Sequence, residues 1–153
     1  MMADSAATVG ALVLVGAIGL ASCSTASAPE PSLMRIATAR DEYGPGTQVT
    51  VHFTNVSAGR VYYSPCIGFL DRQVGLGWRA VGLAAGPLAC RDMLDILEAG
   101  ASDSTVLPLS ATLSPGAFRY RFTGMYRDDS AADSARLPEA HRVSNTFIVI
   151  VRD

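Results

Sequence analysis

The sequence lacks a large excess of charge of either sign. Its 153 residues include 12 basic and 14 acidic side chains, which gives a net charge of −2. A chain this close to neutral has no strong field with which to hold a nucleic-acid backbone, so nucleic acid is not an expected partner. The length excludes a two-domain enzyme, whereas an apolar fraction of 49% permits one domain with a core.

The sequence also lacks the short motifs of common catalytic sites. It contains no nucleophile elbow, no phosphate-binding glycine loop and no zinc-protease helix motif. Its two histidines, His52 and His141, lie far apart in the chain, and both are expected to face solvent rather than to bind a metal. We therefore expect a protein that is not an enzyme and has no cofactor.

The longest apolar run is short for a membrane-spanning helix, so a signal peptide is favoured over the alternatives of an uncleaved membrane anchor or an ordinary apolar segment. The longest run, residues 9–21, has 13 residues, whereas a spanning helix needs about 20. The run has the length of the apolar part of a secretory signal peptide. Small residues and a cysteine end it, in the order Leu20-Ala21-Ser22-Cys23.

This ending resembles the lipobox of bacterial lipoproteins. The resemblance implies that residues 1–22 are a signal peptide and that Cys23 is the lipid attachment site, carrying acyl chains such as palmitate. Residues 23–32 are small, polar and contain proline, so they are expected to form a flexible tether. The expected location is the cell envelope, attached through Cys23. In a bacterium with two membranes, Ser24 favours the outer membrane, on its periplasmic or surface face.

Residues 33–153 are predicted to fold as one all-β domain. Apolar and polar residues alternate over 47–54 and again over 117–123, which is the pattern of a half-buried strand. Residues 145–151 are almost continuously apolar, which predicts a strand covered on both faces. Glycine and proline punctuation separates about seven or eight strands, predicted at 33–40, 47–55, 60–64, 67–72, 77–82, 104–110, 117–126 and 145–152. Residues 90–99 are predicted to form one or two helical turns that end at Gly100.

The domain resembles a bacterial immunoglobulin-like β-sandwich. The residues that carry the resemblance are Tyr43-Gly44-Pro45-Gly46 before VTVHFTNVS, the later GWRAV and GAS segments, Leu113-Ser114-Pro115-Gly116 before FRYRF, and SNTFIVIV at the end. The resemblance implies a single antiparallel sandwich. It also suggests a tyrosine corner around Tyr120, although Phe118 stands at the first aromatic position.

Cys66 and Cys90 remain as an even pair once Cys23 is assigned to the lipid. In an exported domain such a pair predicts a disulfide, with a reduced buried pair and a metal or redox site as alternatives. A bridge closing about 25 residues stabilises a fold by ~3 to 4 kcal/mol in the chain-entropy model.

Other chemistry-bearing residues are assigned structural roles. Residues 127–142 form the longest polar insertion and are predicted to be a solvated loop rather than a calcium site. Trp78 and the three methionines that follow the predicted signal peptide, Met34, Met93 and Met125, are predicted to pack in the core.

The leading function is therefore binding or structural support by a lipid-anchored envelope protein. Its expected partners are the membrane, through the lipid on Cys23, and an envelope protein or polymer that the sequence does not identify. A small immunoglobulin-like proteinase inhibitor is one alternative. Another is an envelope metal-binding protein that uses His52, His141 or the acidic residues of the polar insertion 127–142.

Overall fold

The computed structural model of the protein describes residues 32–84 and 93–151. Strands dominate these residues, and two short 3-10 turns, Asp133–Ala135 and Glu139–His141, are the helical elements among them. The described strands are β1 (Met34–Thr38), β2 (Glu42–Tyr43), β3 (Gln48–Asn55), β4 (Val61–Tyr63), β5 (Gly68–Val74), β6 (Gly77–Leu83), β7 (Asp95–Leu97), β8 (Ser102–Pro108), β9 (Gly116–Phe122), β10 (Met125–Tyr126) and β11 (Phe147–Val149).

The strands form three sheets with the orders β1-β3-β8, β10-β4-β7 and β2-β11-β9-β5-β6. Neighbouring strands are antiparallel, apart from the parallel pair of β2 with β11. The sheets face each other across an aromatic core, in which the rings of Phe53 on β3 and Phe122 on β9 lie 5.0 Å apart. The described residues thus form an all-β sandwich of mainly antiparallel sheets, which confirms the predicted all-β class.

The strands in which apolar and polar residues alternate supply the core. On β3, Val49, Val51 and Phe53 are completely buried, whereas His52 between them is exposed as predicted. On β9 the alternate aromatic residues are likewise buried. Complete burial of a Val or Phe side chain contributes roughly 1.5 to 3 kcal/mol, so alternation on these two strands is enough to orient the sheets.

The structure corrects three details of the predicted elements. Residues 95–97 form β7, antiparallel to β4, rather than a helix, because pairing with β4 gives them backbone partners that a one-turn helix could not supply. The predicted strand 117–126 is interrupted after Phe122, where a Cβ on Gly124 would approach Ile67 to 3.1 Å. In β11, Ile148 is 39% exposed, so only one face of this strand is covered.

A buried asparagine fixes the turn after β3. The Asn55 amide nitrogen donates to the carbonyls of Gly59, at 2.7 Å, and Leu97, at 2.8 Å. Its amide oxygen accepts from both the backbone N–H and the hydroxyl of Ser57. All of the polar groups of a fully buried side chain are therefore used, and the turn is tied to β7.

The polar insertion 127–142 is only partly the solvated loop that its composition predicts. Its first half is exposed, but Leu137 is buried in the core. Arg142 holds the second half by donating from Nε to the Leu137 carbonyl and from Nη1 to the Phe122 carbonyl. Burial lowers the pKa of the Arg142 guanidinium from its ordinary value. The guanidinium of Arg142 thus ties the second half of the loop to β9.

Candidate functional site

The predicted covalent sites lie mostly outside the described residues. Cys23, the predicted lipid attachment site, and Cys90 are both outside them. Cys66 is half-buried before β5 and packs against the core. Both the acylation of Cys23 and the Cys66–Cys90 disulfide therefore remain predictions.

The two histidines lie in different environments. His52 is exposed on β3, whereas His141, predicted to face solvent, is 7% exposed. The Nδ1 atom of His141 accepts a hydrogen bond from the Leu33 backbone N–H at 3.2 Å, so this ring ties the start of β1 to the second 3-10 turn. Within residues 32–84 and 93–151, no three His, Cys, Asp or Glu side chains are placed to hold a metal ion.

Two of the residues predicted to be in the core lie elsewhere. Met34 and Met125 are buried as predicted, but Met93 is exposed. Trp78 is half-exposed on the edge strand β6, and the Arg119 guanidinium covers its ring at 4.6 Å from the ring centroid. Trp78 lies on an edge strand and Met93 lies at a bend before β7. Composition does not show that side chains at these two kinds of position are exposed to solvent.

Strand register assembles a polar cluster on the outer face of the five-stranded sheet. Because Phe118, Tyr120 and Phe122 face the core, Arg119 and Arg121 must face outward. Pairing of β5 with β9 sets Asp71 opposite Arg119 and Phe69 opposite Arg121. We call these four residues, together with Trp78, the arginine ladder.

Asp71 is the centre of the arginine ladder. Its carboxylate accepts from Arg121 through Nε at 2.8 Å and Nη2 at 3.0 Å, which is the strong bidentate geometry. Arg119 adds an ion pair at 3.6 Å from its Nε. Although it stands on the outer face of the sheet, Asp71 is only 1% exposed, because the two arginine side chains lie over it.

Each arginine of the ladder lies over an aromatic ring. The Arg121 guanidinium carbon lies 4.9 Å from the Phe69 ring centroid, and Arg119 lies over Trp78. Arg119 also pairs with Glu139 at 3.2 Å. The hydrogen bond to Asp71 raises the pKa of Arg121. The two arginines are paired with the carboxylates of Asp71 and Glu139, so these four side chains carry no net charge. Their contacts, together with the Arg119–Trp78 contact, join β5, β6 and β9.

The hairpin formed by β5 and β6 extends beyond this braced base. Val74 pairs with Gly77, so Gly75 and Leu76 form a two-residue turn, with Gly75 at a φ of +59°. A positive φ is readily adopted by glycine and disfavours other residues. Leu76 at the tip is fully exposed, and Val74 beside it is 59% exposed. We call Val74–Trp78 the hairpin tip.

A shallow cleft of about 400 Å³ lies at β2 and β3. The residues that line it are Arg40, Glu42, Tyr43, Gly44, Thr47 and Gln48. The Tyr43 hydroxyl accepts from the Arg40 backbone N–H at 2.9 Å, and Thr47 Oγ1 donates to the Gly44 carbonyl at 2.8 Å. These two bonds use the hydroxyl groups of Tyr43 and Thr47 within the cleft itself.

Comparisons with known proteins assign this chain to no family. No protein-family profile matches the sequence, and no curated protein matches it. One solved structure with similarity is the ASH / PapD-like domain of human CEP192 (PapD-like domain 7), at 12% sequence identity and a TM-score of 0.34, covering 95% of this chain and 94% of that one.

Proposed function

We propose that this protein is a lipid-anchored, non-catalytic protein of the bacterial cell envelope that works by binding or by structural support. The anchor is supported by the order of features at the start of the chain, namely an apolar run, Leu20-Ala21-Ser22-Cys23 and a polar, proline-containing stretch. The folded domain begins directly afterwards, with β1 at Met34. A candidate spanning helix is not found in the described part of the chain.

The proposed attachment is a defined reaction. The Cys23 sulfur forms a thioether with the diacylglyceryl group of a phospholipid, and the carbon–oxygen bond to the headgroup phosphate breaks. The thiol proton leaves with the released headgroup phosphate. Water then hydrolyses the peptide bond between Ser22 and Cys23, which leaves acylated Cys23 as the first residue. Several buried acyl chains, at ~0.8 kcal/mol per CH₂ group, make the attachment effectively permanent.

The observation that carries a binding role is the hairpin tip. Single exposed apolar side chains are common on protein surfaces, but Val74 and Leu76 lie together in solvent at the end of a hairpin that the arginine ladder braces. A rigid element with an uncovered apolar end is suited to contact another surface.

Labelled palmitate tests the anchor. We expect the protein to incorporate label when expressed in a bacterial host, and the variant Cys23→Ser to incorporate none and to keep residues 1–22. The matched control is Ser24→Ala, which changes the neighbouring residue and should be labelled and processed like the wild type. Failure of the wild type to take up label, or equal labelling of Cys23→Ser, would contradict the proposal.

A further inference from the structure

We propose that the hairpin tip is a second membrane contact, which inserts Leu76 and Val74 into the surface of a bilayer that contains anionic phospholipid. This inference rests on the proposed location at a membrane and adds a role for the folded domain to it. It would place the domain against the lipid surface, whereas the acylated cysteine alone would leave the domain free to move at the end of its tether.

The shape of the hairpin tip favours lipid over a flat protein surface. The apolar side chains stand on a narrow two-residue turn, and Leu76 is fully exposed. A convex apolar point buries most of its area when it enters a soft apolar medium, whereas it buries little against a flat protein surface. Trp78 follows two residues later at the base of the tip, and tryptophan is enriched at the level of lipid headgroups.

The charges around the tip match an anionic surface. The ionic residues of the β5–β6 hairpin are Asp71, Arg72 and Arg79. Asp71 is buried beneath two arginines of β9, so its charge is neutralised. Arg72 and Arg79 form the third residue pair behind the turn. Arg72 donates to the Pro115 carbonyl, whereas Arg79 is exposed. An exposed basic side chain at this depth attracts anionic headgroups.

The tether is long enough for both contacts to reach one bilayer. Leu33 lies near the Phe122 end of β9, because its N–H bonds to His141 and the neighbouring Arg142 accepts from the Phe122 N–H. The hairpin tip lies near the other end, where Arg72 bonds to the Pro115 carbonyl. The length of β9 separates these ends by about 20 Å. The ten residues from Cys23 to Leu33 can span up to about 35 Å.

The single tryptophan of the chain makes this proposal directly testable. The full chain, purified from bacterial membranes, is reconstituted into phosphatidylcholine vesicles with and without phosphatidylglycerol, both with brominated acyl chains. We expect Trp78 emission to shift to the blue and to be quenched in the vesicles that contain phosphatidylglycerol, and the quenching to weaken at high salt. The variant Leu76→Ser should lower the ratio of docked to undocked domains about tenfold or more.

The control variant is Ile96→Ser, which removes an exposed isoleucine from β7 and should leave the quenching unchanged. Absence of quenching in the wild type, or equal quenching in Leu76→Ser, would overturn the proposal. So would a Trp78 shift that depends on protein concentration without lipid, because that result indicates a second copy as the partner.

Flotation of the vesicles and the mass of the chain report on the lipid anchor separately. An acylated chain that floats without quenching of Trp78 would leave the anchor standing and refute the membrane contact of the hairpin. A chain that has no acyl group, does not float and shows no quenching would refute both.

Discussion

Replacement of Asp71 by asparagine tests the bracing role of the arginine ladder. The change keeps the size of the side chain but removes the charge that Arg121 binds through two hydrogen bonds and Arg119 through an ion pair. Breaking a fully buried ion pair costs about 3 to 5 kcal/mol. The side chains of Arg119 and Arg121 are 17% and 23% exposed, so solvent screens part of their attraction to Asp71. We therefore expect the free energy of unfolding to fall by about 2 to 4 kcal/mol.

The assay is urea unfolding of the full chain, followed by circular dichroism so that loss of the Arg119–Trp78 contact does not distort the signal. The control is Glu98→Gln, which removes the charge of an ion pair with Arg60 in which both side chains are 60% exposed. We expect this variant to lose less than about 1 kcal/mol. Equal, small losses for Asp71→Asn and Glu98→Gln would refute the reasoning, since burial would then not distinguish the two carboxylates.

Two further predictions concern buried polar groups. Asn55→Ala should destabilise the domain by about 2 to 4 kcal/mol and lower Tm by several degrees, because it removes four hydrogen bonds; a calorimetric change under 1 °C would contradict this. Burial raises the pKa of both Tyr63 and Tyr120, and the hydrogen bond from Tyr63 to Asp103 adds to the effect on Tyr63. The folded state therefore keeps protons that the unfolded state loses, so stability is unaffected below pH about 10 and falls as the pH rises above it. The double variant Tyr63→Phe, Tyr120→Phe should give the same native phenolate absorbance near pH 10.5 as the wild type, and a clear drop would show that these hydroxyls ionise in the native state.

Alternation in the sequence predicts much of the sandwich because each strand has one buried face. The residues of β3 and β9 show it most clearly: every second side chain from Val49 to Phe53 and from Phe118 to Phe122 is completely buried. Short strands are harder to predict, since three residues such as Asp95–Leu97 form a strand only because β4 supplies their backbone partners. Their sequence alone carries no such information.

The arginine ladder depends on contacts between distant positions, so local patterns do not reveal it. Arg119 and Arg121 are recognisable as the outward residues of β9, but Asp71 is 50 positions from Arg121. Its role follows from the register of β5 against β9. His141 is similar, since its buried bond to Leu33 joins residues 108 positions apart. The exposed tip could have been recognised, because a glycine–leucine turn flanked by apolar residues leaves the leucine in solvent.

Mass spectrometry of the intact, unreduced chain from bacterial membranes tests the proposed anchor most directly. Our account predicts a mature chain that begins at an acylated Cys23, with a mass two hydrogens below that of the reduced form if Cys66 and Cys90 are bridged. A chain that retains residues 1–22 and carries no acyl group would contradict the proposed attachment.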